Sequence, residues 1–248
     1  MLIKAILLFL AVALPALVII KSSGFSTKRL QLFLVFAGAY LFAMTIIHLI
    51  PDLFYSKEDP FSLGLYILLG FFLQKIIENF TSGVEHGHVH QHANFSVTYL
   101  LIALSLHSFL EGSILTDSLH SHHVTDAEHA QSSSPKILLG IIMHKIPAAI
   151  ALMALLLYKM SSKTKAYMLI LVFALASPLG LFTGEFLSNG HVLPEKYMII
   201  FFAVVAGSFL QISTTIFIET DPNHKLNWQR FGVSVFGAMS AVLAQVLI

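Results

Sequence analysis

His107 and Glu111 stand four residues apart inside an apolar run, residues 95–116. On a helix that spacing projects both side chains from one face. A carboxylate is costly in an apolar span and marks an ion or proton pathway. Beside an imidazole, it also supplies a second ligand for a divalent cation. A later apolar run, near 136–158, carries His144, Lys145 and Pro147. His144 completes a set of two imidazoles and one carboxylate. Such a set suits zinc, and equally Fe(II), Mn(II), Co(II) or Cd(II), because affinity order alone does not choose the metal. The ligands bind as neutral imidazole and ionised carboxylate, so binding is expected to weaken as pH falls. The bland alternative is a protonated Glu111 hydrogen-bonded within the bundle. The histidine on the next span favours the metal.

Other polar residues in apolar surroundings are assigned around this set. Lys145 is an ammonium that would repel a second cation, and it either pairs with Glu111 when the metal is away or snorkels into a cavity. Ser108 and Ser177 are polar lining. His48 and Asp52 form an approach near one membrane face, unless Pro51 and Asp52 merely end a helix. Pro147 removes a backbone donor and frees the Met143 carbonyl, and Pro178 does the same in a later span. Lys75 and Glu78 read as ordinary solvation at a span end. His86, His88, His90 and His92 alternate in a short polar segment and offer loop capture or sensing of metal, against the reading of a solvated loop. His120, His122, His123 and His129 carry the same reading more weakly.

These residues have to be positioned by membrane helices. Of 248 residues, 56% are hydrophobic and 11% charged, and the mean hydropathy is +0.82, too apolar for a soluble domain. The apolar runs have spanning length: Leu2–Ile20, then roughly 30–50, 61–80, 95–116, 136–158, 166–188, 196–218, and 231 to the end. The first reads as a membrane helix rather than a signal peptide. The expected architecture is an all-α integral membrane protein of eight transmembrane helices forming one domain, 1–248. It carries a short His-rich loop at 81–94 and a polar loop at 117–135. There are no cysteines, which excludes disulfides and thiolate sites. A net charge of +1 without a basic patch excludes nucleic acid as a partner. With alternating helices, Lys21, Lys28, Arg29, Lys159, Lys163, Lys165, Lys225 and Arg230 fall on one side, which is expected to be cytoplasmic. Both termini and the 117–135 loop then lie outside, and the 81–94 loop inside. The membrane is a plasma membrane or a bacterial inner membrane.

Four motifs resemble the ZIP (Zrt/Irt-like) metal transporters. His107-Ser108-x-x-Glu111-Gly112 resembles that family's fourth-helix signature, and His144-Lys145-x-x-Ala148 a variant of its fifth. His48-x-x-Pro51-Asp52 resembles the end of the second helix. Gly70-Phe71-Phe72-Leu73 through Glu78, with Ser177-Pro178-Leu179-Gly180, is similar to the third and sixth. The resemblance implies a 3+2+3 bundle, with helices one to three and six to eight related by inverted pseudosymmetry around helices four and five. The metal site lies between helices 4 and 5. It also implies movement of zinc, and in some members iron, manganese or cadmium, toward the cytoplasm, often by a homodimer. Many members carry glutamate where Ala148 and Ser177 stand, and an acid or amide where Lys145 stands. A single metal site, completed by water, is therefore expected from His107, Glu111 and His144, with Lys145 intruding on the second.

The expectation is a divalent-metal importer working by alternating access, not an enzyme, whose partners are the transported cation (zinc first) and the lipid bilayer. No resident cofactor is expected. Two rivals belong to other classes. An intramembrane zinc hydrolase would use the same three residues to activate water, yet the chain has no HExxH and no second acid placed as a base. A membrane metal sensor would work through the histidine loops.

Overall fold

The computed structural model describes residues 1–21, 27–81, 97–115, 127–160, 162–189, 194–218 and 227–247. All regular structure among the described residues is helical. We number eight rods in chain order. They are α1 (Leu2–Lys21), α2 (Thr27–Met44, carried on by a π-helical turn at Thr45–Leu49 and a last turn at Ile50–Phe54), α3 (Pro60–Thr81) and α4 (Val97–Ser113). They continue as α5 (Ala127–Lys159), α6 (Lys163–Asn189), α7 (Glu195–Ile218) and α8 (Trp228–Leu247). Stretches in six of them, α1, α2, α3, α5, α6 and α7, are long and apolar enough to cross a membrane. The other two expected spans, α4 and α8, are helices as well.

Local chemistry sets where several rods begin. Asp59 caps α3, with Oδ2 accepting the Ser62 amide and the Ser62 hydroxyl, each at 2.9 Å, and Pro60 takes the first helical position, where its missing N–H costs nothing. Those two hydrogen bonds, the amide's first, hold the exposed Asp59 carboxyl below its usual range. A carboxyl depressed on folding contributes stability above its unfolded value and loses it as pH falls through the folded one. Asp59→Ala should therefore fray the first turn of α3, seen as faster hydrogen exchange at the Ser62 amide. The difference from the parent chain should shrink in acid. Ser162 accepts the Lys165 amide at 3.3 Å ahead of α6, and Asn227 accepts those of Gln229 and Arg230 ahead of α8.

Proline behaves less disruptively than its sequence position suggests. Pro51 does not end α2. The π turn before it widens the backbone, with the Ile50 amide reaching back to the Thr45 carbonyl, and the rod continues one turn to Phe54. Thr45 Oγ1 ties that region down by donating to the Leu41 carbonyl at 2.8 Å. Likewise α5 and α6 run on through Pro147 and Pro178. The start of α5 also lies well before the expected 136, inside what the sequence suggested was polar loop.

Burial divides the bundle. α1 packs on α5 and α6, α4 packs on α6, α3 on α7, and α2 on α5, α7 and α8. One apolar core joins Leu8, Tyr40, Leu41, Met44, Ile141 and Phe209. A second joins Val12, Leu34, Leu152, Leu155, Ile170 and Phe173. Outward stripes are apolar too: Leu65, Leu69, Phe72 and Ile76 along α3, and Phe236, Met239 and Leu243 along α8, are exposed. Helical spacing puts each set on one face, and faces of this kind suit lipid rather than water.

Candidate metal centre

α4 supplies His107, Ser108 and Glu111, and α5 supplies His144 and Lys145; α6, bearing Ser177, closes the third side. A small-residue crossing allows this. A Cβ on Gly112 would meet the Ser177 backbone oxygen, and one on Gly180 would meet that of Phe109, so α4 and α6 approach backbone to backbone. That brings Ser108 and Ser177 into contact: their hydroxyls are 2.9 Å apart, and Ser177 Oγ donates to the Ser108 carbonyl at 2.7 Å.

Glu111 lies at the centre of the cluster, 1% exposed. Its Oε1 is 2.8 Å from His107 Nε2 and 3.7 Å from His144 Nε2. Its Oε2 takes the Lys145 ammonium at 2.5 Å. The two imidazoles meet edge to face, with centroids 6.2 Å apart. One ligand atom from each of His107, Glu111 and His144 lies within 4.8 Å of the others, and all three residues are buried. Oε1 accepts no well-directed hydrogen bond despite these neighbours. Convergence of nitrogen and oxygen atoms on one point, rather than a hydrogen-bonded chain, suits a cation held among them. Lys145 Nζ also donates to Ser108 Oγ at 2.6 Å and lies 5.8 Å from the Phe173 ring centroid.

The remaining sequence assignments divide. His48 and Asp52 do come together, Nε2 to Oδ2 at 3.6 Å, with His48 buried and Asp52 partly exposed. They stand on the π turn and the last turn of α2, an irregularity of the sort that recurs at functional sites. Lys136 lies close enough to act on both electrostatically. It stands at the start of the apolar run at 136–158 and is 2% exposed in α5. Eight residues of helix, about 12 Å, separate it from His144. His86, His88, His90 and His92 lie outside the described residues, as do His120, His122 and His123.

Glu78 corrects the sequence reading. It is not solvated at a span end but buried between α3 and α7. It accepts Gln211 Nε2 at 2.6 Å and the Lys75 ammonium at 2.8 Å. Gln74 and Ser208 bond at 2.8 Å on the same interface. Sequence reasoning missed this network because its members lie 133 and 134 positions apart. The available signal was Gln74 and Glu78, four apart, facing the same way as Gly70.

Two buried imidazoles and a buried carboxylate thus converge among long apolar helices, a group whose ligand atoms could hold a metal ion. The family follows from comparison with known proteins. The ZIP zinc transporter family model matches residues 85–245, and the chain belongs to that family. Its members are membrane proteins that carry divalent metal and are not enzymes. A relative, Protein zntD of Dictyostelium discoideum, is 29% identical over 164 residues, which is 61% of this chain and 22% of that protein. The chain thus spans about a fifth of the length of that relative.

Proposed function

We propose that the chain is an importer of divalent cations, zinc first and iron, manganese or cadmium after it. It moves them into the cytoplasm by alternating access through one site formed by His107, Glu111 and His144. The convergence of their three ligand atoms within 4.8 Å, all buried, carries the reading. Nitrogen donors select against hard cations, and a single carboxylate keeps ligand charge low, which suits release. Lys145 occupies the position from which a second metal would draw ligands. His48 and Asp52 form the external approach, and the histidines of 86–92 capture or sense metal on the cytoplasmic side.

The same reading makes 1–248 one membrane domain of eight spans, both termini outside, arranged 3+2+3 and paired as a homodimer. Helix packing supports the repeat. Exchanging α1, α2 and α3 with α6, α7 and α8, and α4 with α5, turns the α3–α7 pair into α8–α2 and the α4–α6 pair into α5–α1. All four are packed pairs. The register agrees: a Cβ on Gly70 of α3 would meet the Val204 backbone oxygen of α7, and one on Gly237 of α8 would meet that of Phe36 in α2. Inverted repeats of this kind place the substrate at the midplane between them.

The test is zinc flux into proteoliposomes with a fluorescent indicator inside. Changing a group that merely orients a ligand costs roughly 10–100-fold in affinity, so His107→Ala should raise half-saturating zinc at least about 100-fold or abolish saturable flux. Unchanged kinetics in that variant would remove His107 from the site. Tightly held zinc without any flux from the parent chain would favour a hydrolase or sensor instead.

A further inference from the structure

We propose that the Lys145 ammonium is a tethered countercharge, balancing Glu111 whenever no metal is bound, so that the unloaded site recrosses the membrane as a neutral unit. The proposal rests on the transport reading above and adds what permits net movement rather than exchange alone.

The ammonium sits in a pocket built for it. Lys145 is among the largest fully buried side chains, 2% exposed. Its Nζ contacts Glu111 Oε2 at 2.5 Å and Ser108 Oγ at 2.6 Å, with the Phe173 ring centroid 5.8 Å away. The hydroxyl chain is oriented by it. Ser177 gives its proton to the Ser108 carbonyl, so in the contact between hydroxyls Ser108 is the donor. Ser108 thereby turns a lone pair to the ammonium. Each proton in the series points away from Lys145, an arrangement that a neutral partner would not require. The two oxygens of Glu111 are also divided, Oε2 to the ammonium and Oε1 toward the imidazoles, so the countercharge does not take the atom offered to metal.

Formal charge gives the consequence. With neutral imidazoles, Glu111 and Lys145 cancel, and the unloaded site carries no net charge. Without the ammonium, the unloaded site would be a lone carboxylate in an apolar bundle, a strongly disfavoured arrangement. Such a site would hold its cation and return slowly when empty. Net uptake requires that return in every cycle; metal-for-metal exchange does not.

The experiment compares the two in proteoliposomes: zinc influx into a zinc-free lumen against loss of preloaded labelled zinc driven by external zinc. For Lys145→Met, net influx should fall about tenfold further than exchange, with half-saturating zinc lowered. Lys145→Arg, which keeps the charge, should restore net influx. Equal losses of net flux and exchange in Lys145→Met would overturn the proposal and make Lys145 structural or ligand-positioning. An unchanged ratio of the two would overturn it as well, as would net flux that Arg cannot restore. Absence of saturable flux in the parent chain is a different result and would sink the transport reading itself.

Discussion

Glu111→Ala should abolish saturable zinc flux and also destabilise the protein, and adding Lys145→Met should return the stability without the flux. Both side chains are almost wholly buried and paired at 2.5 Å. Removing one partner of such a pair leaves the other as an uncompensated charge, at a cost of roughly 3–5 kcal/mol. Replacing the second partner with an apolar group removes the orphaned charge and leaves only the smaller cost of the volume lost at Glu111→Ala. The measurement is the thermal midpoint of the detergent-extracted, monodisperse protein, alongside flux in proteoliposomes. Glu111→Ala should melt well below the parent chain, and Glu111→Ala/Lys145→Met should recover most of the difference while flux stays at background. A double variant as fragile as the single would mean that the orphaned ammonium is not the source of the loss. Returning flux would mean that Glu111 is not a ligand.

What could be read in advance follows from which signals are local. His107 and Glu111 share a helix, so their common face follows from spacing. The apolar runs announced the rods, because each must bury its own backbone polar groups in a bilayer. The resemblance added a pairing order that spacing cannot supply. The position of Ser177 relative to Ser108 was not legible. It depends on α6 crossing α4 at Gly112 and Gly180, a contact between segments 69 positions apart. The reading of Glu78 failed for a related reason. It stands near the end of an apolar run, where solvation is the usual outcome, and only the helix packed against it decides otherwise. Pro51 misled because proline is a helix terminator on average, whereas a π turn supplied the room it needed.

Gly112→Ala should be damaging out of proportion to the single methyl it adds. A Cβ at that position would meet the backbone oxygen of Ser177, and backbone cannot rotate aside. α4 and α6 must therefore separate, at a cost of about 1–3 kcal/mol for overpacking. Separation lengthens the Ser108–Ser177 contacts, and Ser108 then holds the ammonium less closely, so the loss reaches the candidate metal centre without touching His107, Glu111 or His144. Expected results are a lowered thermal midpoint and a flux reduced about tenfold or more, as when a group that orients a metal ligand is displaced. Gly180→Ala should repeat the effect from the other side, since its Cβ would meet the Phe109 backbone oxygen. Gly64 and Gly232 supply the comparison, with nothing within 4 Å of a Cβ built there. Alanine is favoured over glycine in a helix by about 1 kcal/mol, so Gly64→Ala and Gly232→Ala should be neutral or slightly stabilising, with flux unchanged. If Gly112→Ala behaved like Gly64→Ala, α4 and α6 would not cross this closely. The hydroxyl chain that orients Lys145 would then lose the close approach on which the Ser108–Ser177 contact depends.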